Sequence, residues 1–147
     1  MSLHESAEMY LETIYILSKQ SSTVRSIDVA EHMGYSKPNV SRAVGLLKQG
    51  GYVMMDADGF LTLTDDGLAV AEKIFDRHLL LSRVLISMGV DPVVAAEDAC
   101  RIEHVISDES LDAIRRHVNQ YILRVFPFIR TASLPAGSFF AFFQKDT

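Results

Sequence analysis

The stretch SIDVAEHMGYSKPNVSRAVGLLKQGG, residues 26–51, decides the fold. Ile27, Ala30 and Met33 recur at helical spacing, Ser26 stands before them as an N-cap, and Gly34 supplies a left-handed stop. Ser36 then caps a second helix, with Lys37 and Pro38 in its first turn, where proline costs no hydrogen bond. Val40, Ala43, Val44 and Leu47 form its inward face, and Gly50 and Gly51 end it. Two short helices joined by a tight glycine-containing turn make the helix-turn-helix pattern.

Working outward, Glu5 to Lys19 reads as a helix, with Met9, Leu11, Ile14, Tyr15, Ile16 and Leu17 interleaved with polar residues. On the other side, Tyr52–Met55 and Phe60–Thr64 are strand-like and flank the turn Asp56-Ala57-Asp58-Gly59. A hairpin directly after a helix-turn-helix is a wing. Thr64 caps a long helix whose first turn carries Asp65 and Asp66, favourable against the helix dipole. Its apolar positions run to about Met88 and Gly89. Asp91-Pro92 opens a helix expected to reach Ile106, and Ser107 caps another that carries Leu111, Ile114, Val118, Tyr121 and Ile122. The expected fold is therefore mainly α with a small β-hairpin: a winged helix-turn-helix DNA-binding domain, then an all-helical dimerisation domain. The boundaries read as 1–64, 65–124 and an aromatic-rich tail, 125–147. The second domain is too small to bury its apolar faces alone, which predicts a two-fold homodimer.

Composition narrows the function. With 48% hydrophobic and 22% charged residues, the chain is globular rather than disordered. A net charge of −5 provides no global field for nucleic acid, so any such role needs a local basic patch. One cysteine, Cys100, excludes an internal disulfide and fits a reducing compartment. The N-terminus has no signal-peptide layout, and no apolar run reaches the ~18 residues of a membrane span, so a cytoplasmic protein without membrane partners is expected.

The local patch exists. Residues 34–51 contain Lys37, Arg42 and Lys48 and no acid. Ser36, Lys37, Pro38, Asn39, Ser41 and Arg42 occupy the first turns of the second helix, the end that meets base edges in helix-turn-helix proteins. Arg42 suits guanine and Asn39 adenine, while Ser36 and Lys37 suit phosphate. Double-stranded DNA is the expected partner. The wing tip, with Asp56 and Asp58 and no cation, is expected to add little phosphate affinity.

Three segments carry metal-ligand chemistry. Met9 and Glu12 share one face of the first helix, His78 lies on the long helix, and Cys100, Glu103 and His104 follow at i, i+3 and i+4. Taken singly, each has an ordinary structural alternative: Met9 and Cys100 as core, Glu12 and His78 as solvated groups. The triple is harder to explain that way. A carboxylate and an imidazole on the stripe of a thiol are costly to bury without a compensating charge, which a divalent cation would supply.

These residues carry a family resemblance. The matching stretches are Glu8–Tyr15, Asp28–Glu31, Lys37–Ser41, Leu61–Thr64 with Gly67, Arg77-His78 and Glu97–Glu109. The chain resembles the metal-dependent repressors that include the diphtheria toxin repressor and the bacterial manganese transport regulator. The resemblance implies that the first-helix pair, the histidine of the long helix and the Cys/Glu-x-x-Glu-His stripe bind metal, and that the loaded dimer binds an operator. Met9 and Cys100 resemble the iron type and Glu12 the manganese type; His78, Glu103 and His104 fit both. Ser82 and Ala96 stand where the iron type completes an ancillary site. The implied set is therefore Met9, Glu12, His78, Cys100, Glu103 and His104, holding one or two ions. The SH3-like domain of the iron-type proteins is expected to be missing. Thiolate and thioether favour Fe²⁺ first and Mn²⁺ second.

Ligands from the DNA-binding half and the helical half closing on one cation would fix the spacing of two recognition helices, about one DNA turn or ~34 Å in a dimer. Neither a small organic ligand nor an enzymatic activity is expected. The alternative is a winged-helix regulator triggered by oxidation of Cys100.

Overall fold

The computed structural model describes residues 3–122, with side-chain environments for residues 5–120. Its elements are α1 (Leu3–Gln20), α2 (Ser26–Met33), α3 (Lys37–Gln49), β1 (Val53–Met55), β2 (Leu61–Leu63), α4 (Asp65–Ser87), α5 (Pro92–Ile102) and α6 (Asp108–His117), followed by a π-helical turn, Val118–Ile122. The tail 125–147 lies outside the described residues. The chain divides into two compact units, Met1–His78 and Leu79–Thr147, so the division falls inside α4.

In the first unit, α1 packs on α2, α3 and β2. Tyr10, Leu11 and Ile14 of α1 meet Val29 and Ala30 of α2, Val40, Val44 and Leu47 of α3, Val53 and Leu61 of the strands, and Ala71 of α4. Each larger aliphatic side chain removed from water contributes roughly 1.5–3 kcal/mol, which holds these short elements together. Gly34, at φ 67°, ends α2, and its N–H donates to the Ala30 carbonyl. Ser36 then caps α3 by accepting from the Asn39 N–H at 3.4 Å. Strands β1 and β2 are antiparallel, with Val53 opposite Leu63 and Met55 opposite Leu61.

The wing joins α4 through a close approach. Thr64 Oγ1 donates to the Gly51 carbonyl at 2.6 Å and accepts from the Gly67 N–H at 3.1 Å. A Cβ on Gly67 would fall 2.0 Å from the Tyr52 carbonyl oxygen, so only glycine fits there.

The second unit is built differently. Leu80, Leu81, Ala99 and Leu111 are its buried cluster, supported by Val84, Ile102, Ile106, Ile114 and Val118. Asp91 caps α5, its carboxylate accepting from the Val93 N–H at 2.9 Å, with Pro92 in the first turn. Ser107 caps α6 by accepting from the Ser110 N–H at 3.1 Å. Ile86, Met88, Val93, Val94 and Val105 remain exposed, Met88 by 75%. Among the described residues, no helix is long and apolar enough to cross a membrane.

Two expectations are corrected locally. Helix α5 ends at Ile102 rather than Ile106, because Glu103 is its C-cap and the chain turns before Ser107 starts α6. The N-cap position of α2 belongs to Arg25, not Ser26. There the Asp28 carboxylate accepts the Arg25 N–H at 2.8 Å, so the cap comes from inside the helix.

Candidate metal centre and DNA-recognition face

Helix α3 turns Val40, Val44 and Leu47 inward and leaves Ser36, Lys37, Pro38, Asn39, Ser41, Arg42 and Lys48 exposed. Its helical period separates the core stripe from a face that carries three cations and no acid. That is the charge pattern DNA requires at a recognition helix. A cleft of about 330 Å³ runs beside this face, between α1 and α3, lined by Tyr10, Tyr35, Asn39, Arg42 and Leu46 among others. Tyr10 and Tyr35 meet edge to face there, with ring centroids 6.2 Å apart. Burial and the neighbouring Tyr35 push the Tyr10 phenol above its ordinary pKa. Tyr35 was not singled out by the sequence, because its signal is a partner on another helix rather than a local motif.

The metal-type residues are distributed over both units. In the first, α1 carries Met9, half-buried, and Glu12, only 7% exposed; His78 on α4 has no exposed surface. Glu12 thus lies among core residues of α1 instead of in solvent. In the second unit, Glu103 has no exposed surface, and Cys100 and His104 are half-buried. His104 Nε2 lies 3.2 Å from Glu103 Oε1, which brings two members of the stripe together. Glu103 keeps right-handed helical angles as the C-cap, φ −58° and ψ −29°, so it continues the turn that carries Cys100.

These donors fit a divalent cation. A fully buried carboxylate costs several kcal/mol unless charge and hydrogen bonds compensate it. In the second unit, the carboxylate of Glu103, the imidazole of His104 and the thiol of Cys100 offer mixed O, N and S donors of the types that first-row divalent cations take.

The chain matches two family patterns in succession: the iron-dependent repressor N-terminal DNA-binding domain over residues 2–59, and the iron-dependent repressor metal-binding and dimerisation domain over residues 64–121. It is similar to the diphtheria toxin repressor of Corynebacterium diphtheriae, at 36% identity over 108 residues, covering 73% of this chain and 48% of that protein. It is also similar to the transcriptional regulator MntR of Escherichia coli, at 33% identity over 106 residues, covering 72% of this chain and 68% of that one. A manganese-dependent transcriptional repressor solved in complex with manganese superposes with a TM-score of 0.70 at 28% identity, covering 77% of this chain and 52% of that one. The chain thus spans about half the length of the corynebacterial relative. With its helix-turn-helix and its helical second unit matched in order, the chain belongs to the iron-dependent repressor family.

Proposed function

We propose that the protein is a metal-dependent transcriptional repressor that binds operator DNA as a homodimer when loaded with Fe²⁺ or Mn²⁺, and so controls metal-ion homeostasis. The observation that carries this reading is the fully buried Glu103 with His104 3.2 Å away, in a chain whose recognition helix is exposed and free of acids.

Met9, Glu12 and His78 from the first unit and Cys100, Glu103 and His104 from the second are the proposed ligands of the ion. Bound Fe²⁺ or Mn²⁺ would supply the positive charge that two carboxylates and a thiol need. Without it, Glu12 and Glu103 repel each other on this reading, and the DNA-binding unit is not held in one relation to the dimer. With the ligands engaged, the two recognition helices keep the spacing of successive major grooves, about one DNA turn. Metal then acts by population shift, and DNA tightens metal binding reciprocally.

The exposed Ile86 and Met88 at the end of α4, with Val93 and Val94 at the start of α5, support a dimer face. An apolar group of this kind is what a second copy covers in an isologous contact. Arg42 and Asn39 are the proposed base readers, and Ser36, Lys37, Pro38, Ser41 and Lys48 the residues that place the helix on the backbone.

The test is an anaerobic binding titration on duplexes selected from a random-sequence pool, with Fe²⁺, Mn²⁺ or chelator. The loaded protein is expected to bind at least about tenfold tighter than the chelated one, a coupling of more than 1 kcal/mol. Equal affinity in both conditions would overturn the metal-dependent reading.

A further inference from the structure

The wing is poor in cations in the sequence but not in the fold. The Asp56 carboxylate is turned into its own loop, where Oδ1 accepts from the Asp58 N–H at 3.0 Å and the Phe60 N–H at 2.9 Å. The Asp56 N–H in turn donates to the Phe60 carbonyl at 3.1 Å, which closes the tip and fixes Phe60 at its base. Over the Phe60 ring lies the guanidinium of Arg25, its central carbon 4.5 Å from the ring centroid. The segment that delivers Arg25 is tied to the wing by the backbone, since the Leu61 N–H donates to the Val24 carbonyl at 2.7 Å. Arg25 is itself exposed, and its N–H is held by Asp28 at the start of α2.

Three consequences follow from this geometry. One wing acid is engaged by backbone donors, a cation is added from another element, and stacking limits the rotamers that cation can adopt. An arginine stacked on an aromatic ring spends its planar face and keeps its rim of N–H donors directed outward, the arrangement suited to a phosphate oxygen. In helix-turn-helix proteins the first helix crosses the DNA backbone, and Arg25 stands at the entrance to that helix, α2.

We propose that Arg25, seated on Phe60, is the phosphate contact of the wing. The proposal rests on the DNA-binding reading above and adds a residue to it. It assigns the wing a sequence-independent anchoring role beside the base contacts of α3.

The test compares the Mn²⁺-loaded wild type with Arg25→Gln, Arg25→Lys, Phe60→Leu and Arg42→Ala. Two probes are used, a duplex selected by the protein and a random-sequence duplex of equal length, between about 50 and 200 mM salt. Arg25→Gln is expected to weaken binding to both duplexes by about tenfold or more and to flatten the log K against log salt slope by about one unit per protomer. Arg25→Lys restores the slope. Phe60→Leu leaves the slope unchanged and weakens both duplexes by less than Arg25→Gln, since the cation persists but is no longer held. Wild-type affinity and slope in Arg25→Gln, with Arg42→Ala weakened, would overturn the proposal alone. Loss on the selected duplex only would make Arg25 a base reader and also overturn it. If Arg42→Ala is unchanged as well, Arg42 is no base reader; if the wild type binds neither duplex, the DNA-binding reading itself fails. Unfolding midpoints of all variants check that the fold is retained; should Phe60→Leu unfold, the Arg25 variants decide.

Discussion

In the unit Met1–His78, apolar side chains from three helices, both strands and the start of α4 close over one another. Among the described residues of the unit Leu79–Thr147, Leu80, Leu81, Ala99 and Leu111 form the buried cluster, while Glu103 is fully buried and Met88 is 75% exposed. The first unit closes a core drawn from all its elements, yet leaves Leu46 and Met54 about half exposed and buries Glu12 and His78. Among the described residues of the second, Glu103 lies inside while Ile86, Met88, Val93, Val94 and Val105 stay exposed. On the proposed function a cation draws ligands from both units, Glu103 among them, and a second copy covers the exposed apolar group of the second unit.

Breaking the sensing side should have the largest effect. Glu103→Ala or His104→Ala is expected to lower Mn²⁺ affinity by at least about 10–100-fold and to abolish metal-stimulated DNA binding while leaving a folded dimer. Calorimetric titration and sedimentation check the two halves of that statement. Unchanged metal affinity would remove Glu103 or His104 from the ligand set. On the other side of the comparison, Leu11→Ala deletes a side chain only 1% exposed and should cost about 2–5 kcal/mol in urea unfolding. A cost below about 1 kcal/mol would show that the first unit is less self-sufficient than its core implies.

Smaller effects sharpen the contrast. Arg42→Ala should weaken specific binding by about 1–3 kcal/mol without moving stability or metal affinity. Asp91→Ala removes the N-cap of α5 and should cost about 1 kcal/mol of thermal stability; no change would mean that Pro92 alone suffices to start the helix. The smallest is a pH effect in the first unit. Burial pulls the His32 imidazole below its ordinary value of 6.5, so the unfolded chain takes up this proton more readily than the folded one. The stabilisation it brings is present above pH 6.5 and is lost as pH falls below that value. His32→Gln should therefore lose less stability than wild type between pH 7.5 and pH 5, as followed by urea unfolding at ~25 °C; equal losses would refute the assignment.

Much of the fold was legible because its signals are local. Gly34, the caps at Ser36, Thr64, Asp91 and Ser107, and the 3.6-residue period of α3 each act within one turn of chain, and the structure places them as read. The errors arose where two elements compete for the same residues. The end of α5 at Ile102 yields to the turn that starts α6, and the cap of α2 is provided by Asp28 acting backward on Arg25. At the candidate site, residue types and spacing named the donors, but spacing does not give burial. Whether Glu12 points to water or lies at 7% exposure depends on what packs over α1. The Arg25–Phe60 stack had no sequence signal, because the two residues are distant in the chain and meet only once β2 hydrogen-bonds to Val24.

The sequence by itself determined the order of helices and hairpin, the acid-free face of α3 and the inventory of metal-type donors, since helical period, capping and charge are properties of neighbours along the chain. Only the tertiary structure decided that Glu103 is buried beside His104, that Gly67 must lack a side chain against the Tyr52 carbonyl, and that a wing without cations carries an arginine. Desolvation and close contact depend on segments far apart in the chain, and their cost or gain exists only after those segments have met.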